Sequence, residues 1–183
     1  MSVKMPLELR HLVTLVDADH AAQVASLAAQ AAPFFGLDAE FAWAAGWLHD
    51  LGKLAVPPEI LMAPRALSLQ EQLIVRAHPV EGEMIVLRCW PEVPSVVLDA
   101  VRGHHERVGG GGYPDGLQVI PPLTALVAAA DVYAALRVAR VYRPAVSLKD
   151  ARELLEGTAL PTDVIQAVLH VAQVQEVVES GAA

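Results

Sequence analysis

Residues 38–52 read DAEFAWAAGWLHDLG. Asp38 is a residue type that caps helices, and Glu40 adds negative charge to the first turn behind it. Phe41, Ala44, Ala45 and Leu48 recur at helical spacing and form one apolar face. The helix is predicted to end at His49–Asp50, and Leu51–Gly52 opens a loop. A histidine and a carboxylate side by side at a helix end can be terminal capping chemistry.

The helical period continues on both sides of this stretch. Residues 7–32 are predicted to be one helix, with Leu9, Val13, Val16, His20, Val24, Leu27 and Ala31 along its stripe. Pro57, Pro58 and Pro64 exclude a long helix after Gly52. Ser68 caps a short helix to about Ala77, and Pro79 suits the first turn of another, to about Arg88. His78 precedes a proline, so a bend outside the helix is expected there. Further helices are expected from Pro94 to about Glu106 and over 122–138, 147–156 and 162–179. The only strand candidate is a short hairpin near Tyr113–Ile120. The fold class is therefore all-α, a bundle of about seven helices with a glycine-rich loop, in one domain over 1–183.

Composition narrows the function. Hydrophobic residues make up 54% of the chain, yet no apolar run reaches membrane-span length. The N-terminus MSVKMPLELRHL lacks an apolar signal core. The single cysteine, Cys89, excludes an internal disulfide and fits a reducing compartment, so a cytoplasmic location is expected. A formal net charge of −8 argues against long nucleic acid as partner. A small anionic substrate remains open where cations are concentrated locally or supplied by a metal.

Five of the seven histidines, His20, His49, His78, His104 and His105, fall at predicted helix ends or on inward faces. Asp50 follows His49, and Asp131 lies on the apolar stripe Val127–Asp131–Ala134. Each has an ordinary reading. A lone histidine on an apolar stripe is commonly a hydrogen-bonded core residue, and Asp131 could pair with Arg137 or Arg140. Together they form a set of imidazoles and carboxylates that suits a divalent transition metal. The segment DAVRGHHERVGGGGYPDG (99–116) adds four glycines, which permit positive φ and close backbone approach. His11 and His170 fall outside the set, as a surface and a structural residue.

His20, HDLGK (49–53), HPVEG (78–82), HHE (104–106), GYPDG (112–116) and DVYAAL (131–136) resemble, in order and spacing, the HD-GYP family, a branch of the HD-domain phosphohydrolases. The resemblance covers residues 20–143, with C-terminal helices beyond. It implies a two-metal phosphodiesterase that opens cyclic di-GMP to linear pGpG or GMP by metal-activated hydroxide attack. By motif position one metal would be held by His20, His49, Asp50 and Asp131. The second would be held by His78, His104 and His105, with Asp50 bridging. Lys53 resembles the family's phosphate-contacting lysine, Tyr113 a pocket wall, and Arg140 and Arg143 candidates for the second phosphate or a guanine edge. Fe or Mn is the implied metal.

Some positions depart from the family pattern. Val16 stands where members with three metals carry a glutamate, so two metals are expected. Ala134, Val141 and Val108–Gly111 replace the usual aspartate, proline and tryptophan–aspartate segment. These changes keep two alternatives open: a phosphohydrolase of another nucleotide, or a non-catalytic binding module that meets protein partners through the GYP loop. The 19 residues before His20 are expected to be too few for a receiver or sensor. The apolar helix 162–179 is expected to be a core helix or a homodimer face.

Overall fold

The computed structural model describes residues 4–138 and 146–181, with side chains to 178. Among these residues the chain is helical and has no strand. The helices are α1 (Leu7–Val13), α2 (Ala18–Ala31), α3 (Ala39–Leu48), α4 (Pro58–Leu61) and α5 (Leu69–Arg76), then α6 (His78–Cys89), α7 (Ser95–Gly103), α8 (Pro122–Arg137), α9 (Leu148–Glu156) and α10 (Thr162–Gly181). Two 3-10 turns, Ala32–Phe35 and Leu51–Ala55, follow α2 and α3.

The predicted helix ends are met where side-chain chemistry fixes them. Asp38 caps α3 by accepting from the Glu40 and Phe41 amides. Ser68 and Glu71 form a reciprocal capping box on α5, and Ser147 accepts from the Asp150 amide at the start of α9.

The expected single helix over 7–32 is broken. The Thr14, Leu15 and Val16 amides bond only three residues back, closing a turn. Asp17 then adopts extended backbone and accepts from the His20 amide at 3.0 Å, which starts α2 afresh. That break places His20 in the first turn of a helix rather than mid-stripe. His78, expected to lie outside the helix, is instead the first residue of α6. The hairpin expected near Tyr113–Ile120 is a turn without strand pairing.

The core forms around α8. Leu123 to Ala130 are all buried, because α2, α3, α7, α9 and α10 pack around this helix. The first half of α10 buries Val164, Ile165, Val168 and Leu169 in the same core, while Val174 and Val178 near its end are exposed. No helix among the described residues is long and apolar enough to cross a membrane. The packing gathers the first turn of α2, the end of α3, the start of α6, the end of α7 and the middle of α8 at one side of the bundle.

Candidate metal centre and its cleft

Three histidines at helix ends use the same device. The Nδ1–H of His49 donates to the Gly46 carbonyl (2.7 Å), that of His78 to Val75 (2.7 Å) and that of His104 to Val101 (2.8 Å). Each acceptor is the carbonyl three residues earlier, and a carbonyl only accepts. Each ring therefore keeps its proton on Nδ1 and turns its Nε2 inward, ready to bind a cation.

The inward atoms converge on Asp50. Its Oδ1 is 3.3 Å from His78 Nε2 and 4.0 Å from His104 Nε2, and its Oδ2 is 3.4 Å from His49 Nε2. Asp131 approaches from α8, with its Oδ1 3.0 Å from His20 Nε2 and 3.7 Å from His49 Nε2. The Asp131–arginine pairing left open by the sequence is not formed with Arg137, which bonds the Val146 carbonyl and pairs with Glu176. Donor atoms of His20, His49 and Asp50 lie within 4.8 Å of one another, as do those of His78, His104 and His105.

The cluster is built for a cation. His49 Nε2 is buried and has no hydrogen-bond partner. His78 Nε2 and His104 Nε2 face each other at 3.1 Å, so two lone pairs meet unless positive charge lies between them. Burial alone would lower the His49 pKa, but the Asp50 and Asp131 carboxylates outweigh it and raise it to about 9, so at neutral pH its Nε2 carries a proton that a bound metal ion would displace. Burial favours a neutral Asp50, yet His49, His78 and Lys53 hold its carboxyl well below the usual range. Burial and neighbouring histidines push His104 far down and His105 to about 3, which leaves both as neutral donors. Divalent ions fit this donor set and satisfy its unpartnered atoms.

Lys53 projects from the 3-10 turn, and its Nζ lies 2.5 Å from Asp50 Oδ2. Tyr113 stacks on the His105 ring (centroids 4.6 Å, planes 19° apart), and the Arg76 guanidinium lies 4.3 Å from its ring centroid. Tyr113 thus packs against the ring of one of the candidate ligands. Arg140 and Arg143 lie outside the described residues. His11 and His170 are both exposed, and His170, expected to be structural, makes an edge contact with Phe34.

Sequence reading gave no role to Glu106, which is fully buried. Its carboxylate accepts from the amides of Asp115 (2.7 Å), Gly116 (3.1 Å) and Leu117 (2.9 Å). It thereby ties the GYPDG turn to the end of α7. Gly112 allows this closeness, since a Cβ there would sit 2.3 Å from Glu106 Cα. Arg102 adds a second tie, with its guanidinium shared between Glu83 on α6 and Asp115 in the turn. Glu106→Ala leaves three amides without their acceptor and is expected to cost about 2–4 kcal/mol. Thermal melting should show the loss, and limited proteolysis should cut at 109–117. A variant with unchanged melting and unchanged cleavage would remove Glu106 from this role.

Residues 14–163 match the HD-domain family profile. The chain belongs to the HD-domain family. It is 36% identical over 141 residues to the 3'3'-cGAMP-specific phosphodiesterase 1 of Vibrio cholerae, covering 74% of this chain and 32% of that protein. Over 101 residues it is 44% identical to a cyclic di-GMP phosphodiesterase of Pseudomonas aeruginosa, covering 54% of this chain and 24% of that one. This HD domain thus spans about a third or less of these relatives. Among solved structures, the L. monocytogenes phosphodiesterase PgpH HD domain in complex with cyclic-di-AMP matches with a TM-score of 0.67 at 18% identity, over 93% of this chain and 96% of that one. An HDG"Y"P protein from Bdellovibrio bacteriovorus matches with a TM-score of 0.66 at 22% identity, over 85% and 52%. At these identities the structural matches establish the HD-domain fold.

Proposed function

We propose that this HD domain is a two-metal phosphodiesterase that hydrolyses cyclic dinucleotides, cyclic di-GMP foremost, to linear pGpG or GMP. What supports this most is the convergence on Asp50 of three Nε2 atoms whose rings are each fixed by a backbone carbonyl. In this reading His20, His49, Asp50 and Asp131 hold one ion. His78, His104 and His105 hold the second, and Asp50 serves both. Fe or Mn suits the mixture of imidazole and carboxylate. Bound there, the pair would lower the pKa of a water molecule and draw charge from a phosphate diester.

The chain's own groups do the rest. The fixed rings present their Nε2 atoms without reorganisation. Lys53 adds positive charge beside the shared carboxylate. Tyr113, stacked on His105, keeps that ring in place. The centre opens into a cleft of about 1010 Å³ lined by Asp50, Lys53, His105, Arg107 and Asp131, with Asp17 and Asp19 at its acidic side. That volume accommodates a dinucleotide-sized ligand.

The relatives' names favour two substrates, cyclic di-GMP and 3'3'-cGAMP. The test is a panel of both together with cyclic di-AMP, offered to anaerobically purified protein loaded with Fe(II) or Mn(II) and followed by chromatography. Turnover of cyclic di-GMP to pGpG or GMP is expected. Exclusive turnover of another member would reassign the substrate. Absence of any turnover at full metal occupancy would overturn the enzymatic reading.

A further inference from the structure

Two cationic side chains line the cleft among the described residues, Lys53 and Arg107. They differ in how far their charge is already engaged. Lys53 is bound to Asp50 at 2.5 Å. Arg107 is half-buried, and its Nη1 donates to the carbonyls of His104 (3.2 Å) and Glu106 (2.7 Å). No carboxylate of a described residue lies within ion-pair distance of it. Its Nε and Nη2 donate to no described residue.

Carbonyl contacts fix the direction of a guanidinium without cancelling its charge. Burial withdraws solvent from this charge, and the carboxylates that act on it, Asp131 and Glu106, do so only from beyond ion-pair distance. In a chain with net charge −8, a partly desolvated and unpaired arginine is costly unless a ligand completes it. Two free donors on a planar fork match the two non-bridging oxygens of a phosphate diester.

We infer that Arg107 is an anion clamp of the cleft, which binds the second, non-scissile phosphate of a cyclic dinucleotide through Nε and Nη2. The inference rests on the reading of the chain as a cyclic dinucleotide phosphodiesterase. Its two carbonyl anchors lie on either side of His105, so the clamp has a fixed position relative to the metal centre. The family resemblance offers Arg140 and Arg143, which lie outside the described residues, as candidates for the second phosphate or a guanine edge; the cleft adds Arg107, beside the HH pair.

The test is calorimetric titration of the metal-loaded full chain with cyclic di-GMP, and with bis(4-nitrophenyl) phosphate, a diester with one phosphate. Loss of a charge-assisted bidentate contact is expected to weaken cyclic di-GMP binding by roughly 10–100-fold in Arg107→Ala. The monophosphate probe should change less than about threefold. Arg107→Lys, which keeps the charge but loses the fork, should fall between. Metal content should stay at the wild-type value in both variants.

Equal weakening of both ligands, or loss of metal, would overturn the inference, because Arg107 would then be acting on the centre itself. Unchanged cyclic di-GMP binding in Arg107→Ala, with the whole loss appearing in Arg140→Ala and Arg143→Ala, would also overturn it. Wild-type binding of cyclic di-GMP without turnover would remove the enzymatic reading and leave the clamp standing. Failure of the wild type to bind cyclic di-GMP would overturn both.

Discussion

Asp50→Ala is expected to lower kcat for cyclic dinucleotide hydrolysis by about a thousandfold or more, since a shared first ligand should cost more than the 10–100-fold typical of its outer partners. Asp50 faces His49, His78 and His104 at once, and no second carboxylate reaches His78 or His104 within ion-pair distance among the described residues. Its removal takes negative charge from both donor sets together. Metal content should fall along with activity. Melting of the metal-free protein should also fall, because His49 and Lys53 lose the buried carboxylate that partners them. Steady-state kinetics with metal analysis of the same sample reads all of this. Activity within tenfold of wild type would place the chemistry elsewhere.

Gly52→Ala should be the most damaging change to the fold near the site. A Cβ at Gly52 would lie 1.8 Å from the His78 carbonyl oxygen and 2.4 Å from the Gly82 amide nitrogen. Both are backbone atoms of α6, so no side-chain rotation relieves the overlap. The 3-10 turn carrying Lys53 would have to lift from α6, separating Asp50 from His78. The expected loss is about 3 kcal/mol or more, and in a domain of this size that lowers Tm by roughly 6–12 °C. Circular dichroism melting checks it. A variant melting within about 2 °C of wild type would mean that the turn and α6 are not in the tight contact described here.

Much of this was legible in the sequence because it was local. Asp38 and Ser68 announce the starts of α3 and α5, and each caps by its own side chain. The seven candidate ligands could be named from residue type and order, and the fold draws all of them to one side of the bundle. What was not legible depends on contacts distant in sequence or on competition between local rules. The apolar spacing runs past Asp17 from Val16 to Val24, so the restart of the helix at α2 was hidden. The pre-proline preference at His78 yields to its Nδ1 bond with the Val75 carbonyl and to packing of α6 against the turn at Gly52. Glu106 reads as one more polar residue before a flexible loop, and its burial emerges only when the GYPDG turn folds back over it. The stack of Tyr113 on His105 likewise forms only once the GYPDG turn folds back onto the end of α7.

The most direct measurement is the metal-to-protein ratio of the purified chain after anaerobic loading with Fe(II) or Mn(II) and removal of free ion, read by plasma mass spectrometry beside Asp50→Ala. The paired donor sets joined by Asp50 should give two tightly held ions per wild-type chain, with loss from both positions in the variant. A folded wild-type chain that keeps one ion or none, or an Asp50→Ala chain that still keeps two, would contradict a two-ion centre built on Asp50.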